Sequence, residues 1–90
     1  MRILTVTWRD SRSYTASTWL GVIQAMKGDS AFTRDLETKQ YMKDLKVRAR
    51  RYERIPARLQ GATCEEKART LLRDLEAGGL VRIKVEKEDR

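Results

Sequence analysis

Five basic residues recur at helical spacing within one stretch of the chain. Lys39, Lys43, Lys46, Arg50 and Arg54 stand four, three, four and four residues apart in KQYMKDLKVRARRYER. On a helix these positions share a sector of about 80° and form a ridge about 22 Å long. The chemistry offered is electrostatic. Cationic groups several ångström apart can meet more than one phosphate of a nucleic-acid backbone, or the carboxylates of an acidic protein. Between Lys39 and Arg58 there are eight basic residues and two acids, a net of +6 that leaves +1 of the chain's +7 for all the rest. A face that is merely solvated usually mixes Glu with Lys, because pairs four apart stabilise a helix. This ridge contains no acid. Asp44 and Glu53 sit on its flanks, with Asp44 spaced to pair with Arg48. The plainer reading stays open beside it, since any helix that buries one side must wet the other. Tyr41, Arg48 and Tyr52 lie together on the apolar side. They read either as core aromatics with a guanidinium laid over them or as a stacking platform for exposed bases.

Other chemistry is thin. The chain has no histidine and one cysteine, which removes Ser-His-Asp and Cys-His constellations, most catalytic zinc sites and any intrachain disulfide. Cys64, at the start of a helix, is a small first-turn residue before it is a reactive thiol. Glu65 and Glu66 are adjacent, so they point in different directions on a helix, and a capping role explains Glu66. The glycines form no phosphate-cradling loop. The expectation is a protein that is not an enzyme and uses no metal or cofactor.

Elements to carry these residues follow from the patterning. RILTVTW (2–8) alternates with period two and reads as a strand; RDSR (9–12) is a polar turn, and SYTA (13–16) returns antiparallel. Thr15 or Ser17 can cap a helix whose core stripe is Trp19, Val22, Ile23 and Met26, with Gly28 as its stop. A loop or short turn anchored by Phe32 and Leu36 follows. Thr38 can cap the second helix, which buries Tyr41, Leu45, Ala49 and Tyr52 with Met42 beside them and ends at Arg54-Ile55-Pro56. Residues 57–62 can hold a short extended piece. Thr63-Cys64-Glu65-Glu66 fits a capping box, in which Glu66 reaches back to the Thr63 N–H. The third helix has the stripe Ala68, Leu71, Leu72, Leu75 and stops at Gly78-Gly79. LVRIKVE (80–86) is a third strand, and 86–90 frays into a polar tail. The order β-β-α-α-α-β defines an α+β domain spanning 1–90, a small and mostly antiparallel sheet with three helices on one face.

The segment EEKARTLLRDLEAGGLVRIKVE (65–86) resembles the last helix and first wing strand of winged-helix DNA-binding domains. Pro56 and Gly61 stand where that fold needs a helix and turn, so no DNA-contact residue is carried over. YTASTWLGVIQAMK, YMKDLKVRARR and LLRDLEAGGL together resemble short bacterial and prophage-associated proteins of unknown function. That resemblance implies a small accessory protein.

The N-terminus becomes charged too soon for a signal peptide, and no apolar run approaches the roughly 20 residues that cross a bilayer. A cytoplasmic protein without membrane contact is expected. Its function is nucleic-acid-associated or regulatory through 39–54, or else that of an interaction module docking on an acidic partner. A free sheet edge leaves homodimerisation open.

Overall fold

Alternating β-branched residues at the two ends of the chain meet in one sheet. The structure, a computed structural model describing residues 2–87, contains β1 (Arg2–Trp8), β2 (Ser13–Ala16), α1 (Trp19–Gly28), α2 (Thr38–Tyr52), α3 (Cys64–Ala77) and β3 (Val81–Lys87). The strand order is β2-β1-β3, antiparallel throughout. β1 therefore lies centrally, with Leu4 between Ala16 and Val85, and Val6 between Tyr14 and Ile83. Leu4 and Val6 are fully buried beneath the helices. The opposite face stays open and polar, with Thr5 and Thr15 hydroxyls 3.2 Å apart and Thr7 and Ser13 hydroxyls 2.9 Å apart.

The hairpin turns through Arg9, Asp10 and Ser11, closed by Trp8 N–H donating to the Arg12 carbonyl at 2.7 Å. Ser11 sits in the left-handed region at φ 76°, a place usually held by glycine. The Asp10 carboxylate compensates by accepting from the Arg12 backbone N–H (3.2 Å) and from its Nε (2.9 Å).

α1 and α3 pack on the sheet, and α2 packs on α1 and α3 without reaching a strand. The α3 stripe of Ala68, Leu71, Leu72 and Leu75 is wholly buried at the centre of the core. Thr63 caps α3 by accepting from the Glu66 N–H. The Glu66 carboxylate reaches back one residue further than the capping box predicts, to the Ala62 N–H at 2.6 Å. At the far end the Leu80 N–H donates to the Leu75 carbonyl and the Gly79 N–H to that of Glu76. Gly79 supplies the left-handed φ of 80° that this closure needs. Gly78 has a different task, since a Cβ there would stand 2.5 Å from Ile55 Cγ1.

The N-terminus of α1 is held by another helix. Thr18, not Thr15 or Ser17, is the cap and accepts from the Gly21 N–H at 2.9 Å. The preceding two N–H groups, of Trp19 and Leu20, each donate to a carboxylate oxygen of Glu65 at 2.8 Å. This joins the first turns of α1 and α3 across the core and gives Glu65 a role that the sequence did not assign it.

Other expectations are revised. Phe32 is 94% exposed and anchors nothing. The loop after α1 is pinned instead by Thr33, whose hydroxyl donates to the Lys27 carbonyl at 2.6 Å, and by Lys27 Nζ donating to the Arg34 carbonyl at 2.7 Å. Polar groups satisfy the helix end, so no apolar plug is needed. α2 has Glu37 rather than Thr38 at its cap, with no side-chain bond. Residues 57–62 form no strand. β3 extends to Lys87, so Glu86 and Lys87 pair with Ile3 and Arg2 rather than fraying; the remainder of the expected tail lies outside the described residues. Along the free side of β3 the Ile83 N–H donates to Glu76 Oε2 at 3.2 Å, and Arg73 holds Glu76 Oε1 at 3.0 Å.

Candidate nucleic-acid interface

The second helix is turned differently from the prediction. Its buried residues are Met42, Leu45 and Ala49, whereas Tyr41 is half-buried and Tyr52 is 71% exposed. The core face is thus rotated by roughly 40° toward Met42 at 100° per residue. Met42 fills the contact with α1 and α3 better than a tyrosine, whose hydroxyl needs a polar partner.

The rotation redistributes the basic residues. Lys39, Lys43 and Arg50 stay exposed, and Lys46 becomes half-buried. Arg51 occupies the outermost arc, and Arg48 is exposed on the opposite flank. The helix ends at Tyr52, and Arg54 follows in the left-handed region at φ 55° while the chain turns to bury Ile55 and Ala57. Arg54 therefore leaves the ridge, and the helical part spans about 16 Å at 1.5 Å per residue. Arg50 is partly committed as well, since its Nε donates to the Ala57 carbonyl at 3.0 Å. α2 is better described as basic around its exposed arc than along one line.

Charge pairing leaves the basic residues of α2 without carboxylate partners. Among the described residues, ion pairs join Arg2–Glu65, Arg9–Glu53, Arg12–Asp10, Arg58–Asp74, Arg73–Glu76 and Lys84–Glu86. None involves a basic residue of α2. The two acids expected to flank the ridge are drawn elsewhere. Asp44 accepts from Gln40 Nε2 at 3.1 Å rather than pairing with Arg48, and Glu53 accepts from Arg9 Nη2 at 3.1 Å.

The neighbouring basic residues do not extend this patch. Arg82 pairs in register with Thr7 on the open sheet face, away from the helices. Arg58 grips Asp74 through Nε and Nη2, each at 3.0 Å, and through its backbone N–H at 2.9 Å. The Arg58 guanidinium, then its backbone N–H, hold the Asp74 carboxyl below 3.8, with partial burial opposing them. A lowered folded pKa stabilises the fold above the unfolded value, and that stability fades as pH falls through the folded one. Asp74→Asn is therefore expected to lower stability at pH 7 and to flatten its decline below about pH 3.8. Urea unfolding between pH 2 and 7 measures both effects.

A cleft opens where α2 faces the turn end of the hairpin. It encloses about 360 Å³ between Trp8, Tyr14, Asp29, Tyr41, Arg48 and Tyr52, among others. Tyr14 donates its hydroxyl to Asp29 Oδ2 at 2.7 Å. Burial, reinforced by that bond and the Asp29 charge, pushes the phenol up to about 12. Burial also raises Tyr41, with Arg48 and Arg12 opposing. Trp19 is core, as expected, with the Arg73 guanidinium 5.1 Å from its ring centroid. Trp8 is half-buried, packs against the core and also lines the cleft. Sequence reasoning did not assign Trp8 or Tyr14 to a site, because only the hairpin register brings them beside α2.

Among the described residues, no three His, Cys, Asp or Glu side chains are grouped to hold a metal ion, and no helix is long and apolar enough to cross a membrane. The chain matches no known protein-family model, no curated protein and no solved structure.

Proposed function

We propose that this is a small cytoplasmic nucleic-acid-associated protein, a binder rather than an enzyme, that contacts phosphates through the exposed arc of α2. The observation that carries the reading is the pairing pattern. Unpaired cations such as Lys27, Arg34, Lys67, Arg69 and Arg82 are scattered elsewhere, whereas Lys39, Lys43, Lys46, Arg48, Arg50 and Arg51 gather on one helix with no carboxylate partner among the described residues. Unpaired cations on a rigid helix create a local field that draws polyanions and releases their counterions on contact. Such contacts give affinity with little choice of base sequence.

The test is a binding titration with DNA and RNA oligonucleotides across salt concentrations. Lys39→Ala and Lys43→Ala remove exposed side chains that hold no partner. Each is expected to weaken binding to all sequences alike and to lower the slope of log K against log salt by about one. Arg50 is a poor choice for this test, because its loss also frees the Ala57 carbonyl. Absence of salt-sensitive binding near physiological ionic strength would leave α2 a solvated face. The reading as a docking module for an acidic protein would then take over. Phe32 and Val47, exposed apolar side chains, favour that alternative.

A further inference from the structure

We propose that the cleft between the hairpin and α2 takes an unstacked nucleotide, its base against the aromatic side chains and its phosphate on Arg48, so that the protein selects single strands over duplex. The inference rests on the proposed nucleic-acid function and names its substrate class.

Four of the chain's six aromatic residues, Trp8, Tyr14, Tyr41 and Tyr52, line this one cleft. Trp8, Tyr14 and Tyr41 pack one side against the core, whereas Tyr52 does not. Tyr52 is 71% exposed and Trp8 is half-buried, so apolar ring surface remains in contact with water. The volume of about 360 Å³ falls in the range of small-molecule sites, which combine an apolar lining with a few polar groups.

The charges in the cleft select its occupant. Glu53 is paired with Arg9 and Arg12 with Asp10 at 2.8 Å, while Asp29 accepts from the neutral Tyr14 hydroxyl and keeps its charge. Arg48 has no hydrogen-bond or ion-pair partner among the described residues. Arg48 is therefore the lining cation left free for an anion, and it shares the cleft with the aromatic rings. Tyr14 and Tyr41 both stay protonated at neutral pH and add no negative charge to that of Asp29. A planar group carrying a negative charge is the complementary ligand, and a nucleotide is both.

Arg48 and Tyr52 are one helical turn apart and lie across α2 from Lys39 and Lys43, with the exposed Arg51 between the two flanks, so a strand reaches the cleft by crossing the outer face of the helix and turning a base inward. A base within a duplex is stacked and paired and cannot enter, whereas a single strand splays its bases readily.

The experiment titrates the intact protein, at one salt concentration, with a twelve-residue oligothymidylate and with a blunt duplex of equal length, followed by fluorescence anisotropy. Tryptophan emission is recorded in parallel. The single strand is expected to bind at least tenfold tighter and to quench Trp8. Tyr52→Ala and Arg48→Ala are each expected to weaken single-strand binding by about five- to a hundredfold, the range found for lost base stacking. Duplex binding should change less than threefold. Tyr52→Phe keeps the ring and is expected to retain single-strand affinity. Both side chains are exposed, so the variants should keep the wild-type thermal midpoint. Equal affinity for the two forms, or equal losses on both, overturns the cleft proposal while a normal salt slope leaves the proposed function standing. Binding of neither form overturns both.

Discussion

Leu72→Ala is expected to lower the free energy of unfolding by about 3–5 kcal/mol, at the upper end of leucine truncations because the site cannot collapse. Leu72 is 0% exposed and is flanked on its own helix by Ala68, Leu71 and Leu75, each also at 0%. α3 lies between the sheet and α2, with α1 at its side, so relaxation inward would disturb three contacts at once. Domains of this size have total stabilities of about 5–15 kcal/mol, and the variant would be close to unfolding at 37 °C. Urea denaturation with an unchanged m-value measures the loss. Thr63→Ala, which removes one cap bond in α3, should cost only about 1 kcal/mol. A cap variant less stable than the leucine variant would refute this account of the core.

Glu65→Ala should have the next largest effect, a loss of about 2–3 kcal/mol. Its carboxylate accepts two backbone N–H bonds at 2.8 Å from the start of α1. Hydrogen bonds to a charged group contribute about 1.5–3 kcal/mol each. The sum is not reached, because the side chain is 37% exposed and water can replace part of the loss. In a domain of this length the change corresponds to a fall in Tm of roughly 10–20 °C. Amide exchange gives the local signature, with Trp19 and Leu20 losing protection before the middle of α1. Unaltered protection at both amides would show that the carboxylate is not their cap. Glu65→Gln should recover part of the loss, since its carbonyl oxygen serves one N–H while its amide nitrogen faces the other donor.

What could be read from the sequence was local. The alternation in β1 and β3 and the Leu71-Leu72-Leu75 stripe depend on neighbours a few residues away, and all reappear in the structure. The antiparallel partnership of the chain ends followed because two strands of seven residues are not stable apart. The errors arose where distant groups compete. Thr15, Ser17 and Thr18 are equivalent as caps until the end of β2 is fixed by its pairing with β1. Glu65 was assigned no role because its partners are more than 40 residues away. The orientation of α2 could not be resolved from periodicity, because Tyr52 and Met42 are both apolar enough to face inward. Packing on two helices chose the side chain without a hydroxyl. The basic stretch itself was legible from charge alone, as were Tyr41, Arg48 and Tyr52 beside it. The cleft was not, since Trp8 and Tyr14 reach it only through the hairpin.

The carboxylate of Glu76 has a consequence for crowded conditions. A polyanion that gathers many copies of a basic protein raises their local concentration, and bare strand edges then tend to join from molecule to molecule. On the free side of β3 the Ile83 N–H is already occupied by Glu76, which Arg73 fixes from behind. An incoming backbone would have to displace a held, charged side chain midway along the edge before it could find register. Copies brought close together thus meet a blocked edge at β3 rather than a bare one.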